Sequence, residues 1–169
     1  ITPDDIYAHH DKTGELPKTS ATNVGESLDF FRKFTESGKT VIHFTISSEM
    51  SSTYANACLA AEELENVYVI NTENLSTGGG LLVVAAAQMR EDGLSAEEIV
   101  EKTKALVPCV DASFVIDSLE YLYKGGRCSA LAMFGANLLK LKPCIQVKNG
   151  KMDVAKKYRG KYDEVLKQY

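Results

Sequence analysis

The sequence predicts an α/β fold in two parts. A parallel sheet with helices on both faces is expected over residues 1–108, and a second α/β unit carrying an antiparallel hairpin over residues 109–169. Three features carry that expectation. Short β-rich runs, TVIHFTI at 40–46 and VYVI at 67–70, alternate with longer helical stretches through the first two-thirds of the chain, the rhythm of strands joined by crossover helices. The run at 40–46 is nearly unbroken in its β character, as expected of a strand covered on both faces. After Pro108 the rhythm changes: Lys148-Asn149-Gly150 separates two further β-rich runs, 144–147 and 152–155, and Asn-Gly between such runs is a strong hairpin signal.

The elements follow in order from their local chemistry. Thr2-Pro3-Asp4-Asp5 starts a helix, with a capping hydroxyl, a proline suited to the first turn and acids at the positive end; Gly14 stops it. Residues 16–23 form an extended, hydroxyl-rich loop. Asn23 caps a second helix whose Leu28, Phe31 and Phe34 keep helical spacing. A second hydroxyl-rich loop follows the strand at 40–46, and an Ala-rich helix runs from Tyr54 to Leu64. After the strand at 67–70, Gly78-Gly79-Gly80 opens the apolar helix LLVVAAAQM, expected to be buried on most sides. Ser95 and Glu98 form a capping box for a helix ending near Pro108. A strand at 113–116, helices at 119–124 and 130–139, the hairpin and a last helix at 161–168 complete the chain.

Composition narrows the function classes. Of 169 residues 44% are hydrophobic and 25% charged, with a formal net charge of -4, so no global basic field points to nucleic acid or an anionic membrane surface. The longest apolar run, Leu81 to Ala87, falls far short of the roughly 18 residues of a membrane span. Cys58, Cys109, Cys128 and Cys144 form no C-x-x-C pair, and His9, His10 and His43 are not at metal-ligand spacing with them. Reduced, mostly buried thiols in a cytoplasmic protein are expected, with no metal. His43 lies within an apolar strand and reads as an interior histidine.

Three constellations could carry function. The hydroxyls of Thr19 and Ser20 in the first loop, and of Ser47, Ser48, Ser51, Ser52 and Thr53 in the second, suit a carboxylate or phosphate held at a helix N-terminus without a basic side chain. A helix cap alone needs one hydroxyl, and here five fall within seven residues. Gly78-Gly79-Gly80 could cradle a phosphate, but it lacks G-x-G-x-x-G spacing and a following Lys-Ser/Thr; close helix–sheet packing is the plainer explanation. Lys124-Gly125-Gly126-Arg127, with Lys157 and Arg159, could meet an acidic partner or a phosphate, or form solvated turns.

At these loops the chain resembles the DegV family, the bacterial fatty-acid-binding proteins that include the binding subunits of fatty acid kinase. The resemblance rests on PKTSATN at 17–23, ISSEMSSTY at 46–54, STGGGLLV at 76–83, LEYLYKGGRCS at 119–129, GANLLKLKPCI at 135–145 and KYRGK at 157–161. It implies two α/β domains holding a long-chain fatty acid, with the carboxylate on Thr19 and Ser51, flanked by Ser20 and Ser52. It further implies a partner kinase subunit that phosphorylates the bound acid, so that this chain binds and presents lipid without catalytic residues or a cofactor of its own; Arg127 and Arg159, each beside a glycine that lets it project, are expected on the same side as Ser51, meeting that kinase or the acyl phosphate. Ser52 stands where the family usually has Gly, and Ala21-Thr22 where it has Gln-Pro. The family's amino-terminal strand and a carboxyl-terminal histidine are not matched, so the chain is expected to be the middle of a longer DegV-like protein. In a fatty acid each buried methylene contributes roughly 0.8 kcal/mol, so the tail should supply most of the affinity and the hydroxyls the orientation. Two other functions fit the residues: a nucleotide-dependent phosphotransferase using the Gly78–Gly80 loop, for which only Glu73 could hold a metal, and an interaction protein without a ligand.

Overall fold

The computed structural model describes residues 1–129 and 141–169; the helix expected at 130–139 lies outside them. Helices α1 (Pro3–Thr13) and α2 (Val24–Thr35) both begin in capping boxes, on Thr2 with Asp5 and on Asn23 with Glu26. Strands β1 (Val41–Thr45) and β2 (Val67–Asn71) run parallel, joined by the crossover helix α3 (Thr53–Ala61). Helices α4 (Ser76–Glu91) and α5 (Ala96–Leu106) follow, the latter with the Ser95–Glu98 capping box in place. A 3-10 turn, Val107–Cys109, leads to β3 (Ala112–Val115), α6 (Glu120–Gly125), β4 (Lys142–Lys148), β5 (Lys151–Tyr158) and α7 (Tyr162–Gln168). Strands β3, β4 and β5 pair antiparallel in that order, with a bulge between Cys144 and Ile145. Asn149 and Gly150 both have positive φ, 50° and 75°, the backbone that a two-residue hairpin turn of matching twist requires.

The parallel sheet carries helices on both faces, as alternation of its strands dictates. Val41, Val67 and Val69 point to α2 and α3, where Phe31, Ala57 and Ala60 are buried. Ile42 and Phe44 point the other way and, with Val83, Ala86 and Ile99, line a cleft of about 360 Å³ beside α4 and α5. Tyr68 ties β2 to α5 by donating its hydroxyl proton to Glu97 at 2.6 Å.

Two expectations need correction here. Helix α4 starts at Ser76 and not at the glycines, and only Gly78, Leu82 and Ala86 on it are buried. Leu81 is 62% exposed and Val84 68%. A sheet of two strands covers one stripe of a helix, so apolar composition all round does not bring burial all round. Among the described residues the cysteines form no disulfide, but only Cys128 and Cys144 are buried; Cys58 is half-buried and Cys109 exposed.

Candidate functional site

The second hydroxyl-rich loop lies at the carboxyl end of β1, where a parallel sheet opens and places its ligands. Its backbone is fixed by neighbours on three sides. Ser47 is fully buried; its N–H donates to the Asn74 carbonyl at 2.9 Å and its hydroxyl to the Gly150 carbonyl at 2.7 Å. Asn71, at the end of β2, accepts from the Ser48 N–H at 3.1 Å and the Glu73 N–H at 3.2 Å, and donates to the Ser48 hydroxyl at 2.9 Å. One amide side chain thus clamps the loops after β1 and β2 together.

Ser51 and not Ser52 does the capping of α3. Ser52 occupies the N-cap position but its exposed side chain makes no capping bond. The Ser51 hydroxyl, half-buried, accepts from the Thr53 N–H at 3.2 Å and lies 2.9 Å from the Thr53 hydroxyl. If Thr53 gives its proton to Ser51, both acceptor positions of the Ser51 oxygen are filled and its own proton is free to be donated. A hydroxyl that accepts two bonds is polarised into a better donor, and the first turn of α3 adds positive potential. A carboxylate is the complementary group.

The first hydroxyl-rich loop joins this end of the molecule through Asn56, whose side chain donates to the Thr22 carbonyl at 2.8 Å. Asn56 sits one helical turn beyond Ser52, to whose carbonyl its N–H bonds. Thr19 stands three residues from that tether, within about 10 Å of chain. Thr19 and Ser20 are exposed, and neither hydroxyl has a partner among the described residues.

Met50, immediately before Ser51, turns away from solvent into an apolar cluster with Leu119, Cys128, Leu141, Ile145, Val147 and Met152. Leu75, Phe114 and Ile116 pack on that cluster while still partly accessible. Next to it, Leu75, Ala112, Phe114 and Val147 help line a cavity of about 300 Å³ whose rim includes Ser76 and Thr77. The loop that holds the hydroxyls therefore also enters the apolar face of the antiparallel sheet.

The two arginines are placed differently. Arg127 folds back so that its guanidinium donates to the Gly125 carbonyl at 2.7 Å, closing the turn at Gly126, whose φ is 71°. Its neighbour Cys128 belongs to the Met50 cluster. Arg159 is exposed beyond the end of β5, seven residues past Met152, or roughly 23 Å of strand.

Gly78 earns its place by packing: a Cβ there would lie 2.1 Å from the Asn74 side-chain oxygen. Asn74 itself is buried and accepts from the Leu75 N–H at 3.0 Å. The space a phosphate would need at that glycine is filled by an amide. No cluster of three or more metal-ligating side chains occurs among the described residues, and no helix among them is long and apolar enough to cross a membrane. His43 packs edge-on against Phe31 at 5.1 Å, and burial holds its pKa below the ordinary histidine value.

Asn56, Asn71, Ser47 as an anchor, and Met50 were not singled out from sequence as site residues. Nothing local marks them, because each acts on a partner 23 to 103 positions away; only Gly150 carried a signal, as a turn residue.

A family model described as an uncharacterised protein of the DegV family matches residues 1–167. A DegV domain-containing protein of Clostridium acetobutylicum is 38% identical over 152 residues, 89% of this chain and 54% of the relative. A fatty acid-binding protein of Thermotoga maritima is 34% identical over 159 residues, covering 92% of this chain and 55% of that one. Among solved structures, a fatty-acid-binding DegV family protein from Thermus thermophilus superposes with a TM-score of 0.86 at 31% identity, covering 99% of this chain and 61% of the other. A stearic acid-binding protein from Eubacterium ventriosum gives 0.82 at 32%, covering 100% and 62%. The chain spans a little over half the length of these relatives.

Proposed function

Because the chain belongs to the DegV family, we propose that it supplies the head-group site and part of the apolar lining of a carrier for long-chain fatty acids. The observation that carries this reading is the loop at 47–53: Met50 is buried in the apolar cluster of the antiparallel sheet, and the next residue, Ser51, holds a half-buried hydroxyl against the first turn of α3, accepting from the Thr53 N–H. One turn of chain thus joins a place for a carboxylate to a place for an alkyl tail. Solved relatives of the same fold bind fatty acids, among them stearic acid.

In this reading Ser51 and Thr19 donate to the carboxylate, Ser20 and Ser52 flank it, and the protein binds without performing chemistry. A carboxylate held by neutral hydroxyls keeps more nucleophilicity than one held by a bidentate arginine, which suits a bound acid that a partner kinase phosphorylates in the cytoplasm. Arg127 is the better placed of the two arginines to meet that partner, since Arg127 and Ser51 each adjoin a member of the same buried cluster. Arg159 would meet it only if the kinase also covers the far end of β5. In this reading residues 1–108 form the head-group domain and residues 109–169 a second domain.

Native mass spectrometry of the full-length protein purified from bacteria tests it. One co-purifying fatty acid is expected. Ser51→Ala and Thr19→Ala should each weaken binding by about 1–3 kcal/mol, the cost of leaving a charged acceptor short of a donor. Unchanged affinity in both variants, or a nucleotide in place of a lipid, would overturn the proposal.

A further inference from the structure

Building on the head-group reading, we infer that Ser47 and Gly150 are positioning residues, through which the hairpin of the antiparallel sheet sets the Ser51 hydroxyl for the carboxylate. Ser47 has every polar group engaged. Its N–H is taken by Asn74, its carbonyl accepts from the N–H groups of Met50 and Ser51 at 3.0 and 3.2 Å, and its hydroxyl donates to Gly150 while accepting from the Glu49 N–H at 3.2 Å. The Ser51 backbone therefore hangs directly from Ser47, and Ser47 is held by a carbonyl 103 residues away in sequence.

The contact at Gly150 is close from the other side as well. Gly150 is buried with φ 75°, and a Cβ on it would stand 2.6 Å from the Ser47 hydroxyl and 3.1 Å from Glu49 Cγ. Only a glycine allows the turn to come this near. Lys151, the next residue, pairs with Glu49 at 3.0 Å, and Met152 shares the cluster that receives Met50. The loop is thus fastened to the hairpin at residues 47, 49 and 50, just short of Ser51. The sheet that would contact the alkyl tail is the same body that fixes the head-group donor, so a shift of the hairpin moves the hydroxyl.

The test compares palmitate with the fatty alcohol of equal chain length in the full-length protein, which separates head-group placement from general damage. Two variants perturb the joint differently. Ser47→Ala removes the hydroxyl bonds. Gly150→Asn removes no bond and keeps a residue type that tolerates positive φ, but it pushes on Ser47. Each should cost about tenfold in palmitate affinity and leave the alcohol affinity nearly unchanged, while Ser47→Thr, which restores the hydroxyl, should recover the preference for the acid. Thermal melts verify folding, and if Ser47→Ala does not fold, Gly150→Asn decides. Equal losses for acid and alcohol, or none, overturn the inference while a Ser51→Ala effect leaves the head-group reading standing. A wild-type protein without preference for the acid removes both.

Discussion

The two hydroxyl-rich loops differ in how they are held. The loop at 47–53 is bonded to the β2–α4 loop, to the hairpin and to its own helix, and it buries Met50. The loop at 16–22 is mostly exposed and, among the described residues, tied to α3 by one hydrogen bond, Asn56 to Thr22. Binding a charged head group costs least when one donor is already in place and the other can close onto the ligand afterwards. In the proposed carrier Ser51 would take the preorganised role and Thr19 the adaptable one; a loop that closes onto a ligand loses conformational entropy.

Breaking the fixed loop should have the largest effect. Met50→Ala empties a buried position and should cost about 2–5 kcal/mol of folding stability, read by urea denaturation, with loss of lipid binding in parallel. Loosening the exposed loop should do less. Asn56→Ala removes one exposed bond, about 0.5–1.5 kcal/mol, and should weaken fatty-acid binding while lowering the urea midpoint by clearly less than Met50→Ala does. A midpoint that drops as far as for Met50→Ala would show that the first loop is as structural as the second. Smaller still is Val83→Asn. Val83 is 43% exposed, so the substitution should change stability by no more than about 0.5 kcal/mol; a larger loss would mean that α4 is covered in the working protein.

A pH series separates the sheet interior from both loops. Burial lowers the pKa of His43 from its ordinary 6.5, so the folded state resists protonation that the unfolded chain accepts. The contribution is complete above that ordinary value and is lost as pH falls below it, towards the depressed folded-state value. Urea midpoints should decline over that interval, and His43→Gln should flatten the decline. No difference between the two proteins would remove His43 as the cause.

How much of this was legible in the sequence follows from the range of each interaction. The capping boxes at Thr2, Asn23 and Ser95 span three residues, and the Asn149-Gly150 turn spans two; local chemistry determined them. The hydroxyl loops were legible as composition, and the six motifs pointed to the family. What stayed hidden depends on distant partners. Composition alone did not show which of Ser51 and Ser52 caps α3; the Thr53 N–H bonds to Ser51. The glycine triplet read more plainly as close packing than as a cradle, but its packing partner, Asn74, was not legible, and the all-apolar α4 looked buried because a sequence does not state how many strands lie beneath it. Arg127 and Arg159 share a charge and a neighbouring glycine, yet only Arg127 folds back onto its own turn, at the Gly125 carbonyl.

The central claim is that the Ser51 and Thr19 hydroxyls hold a fatty-acid carboxylate. NMR of the full-length protein loaded with palmitate labelled with carbon-13 at the carboxyl carbon and the terminal methyl tests it most directly. The account predicts that Ser51→Ala and Thr19→Ala each move the carboxyl resonance while the methyl resonance stays in place. A carboxyl resonance unmoved by both substitutions would contradict it.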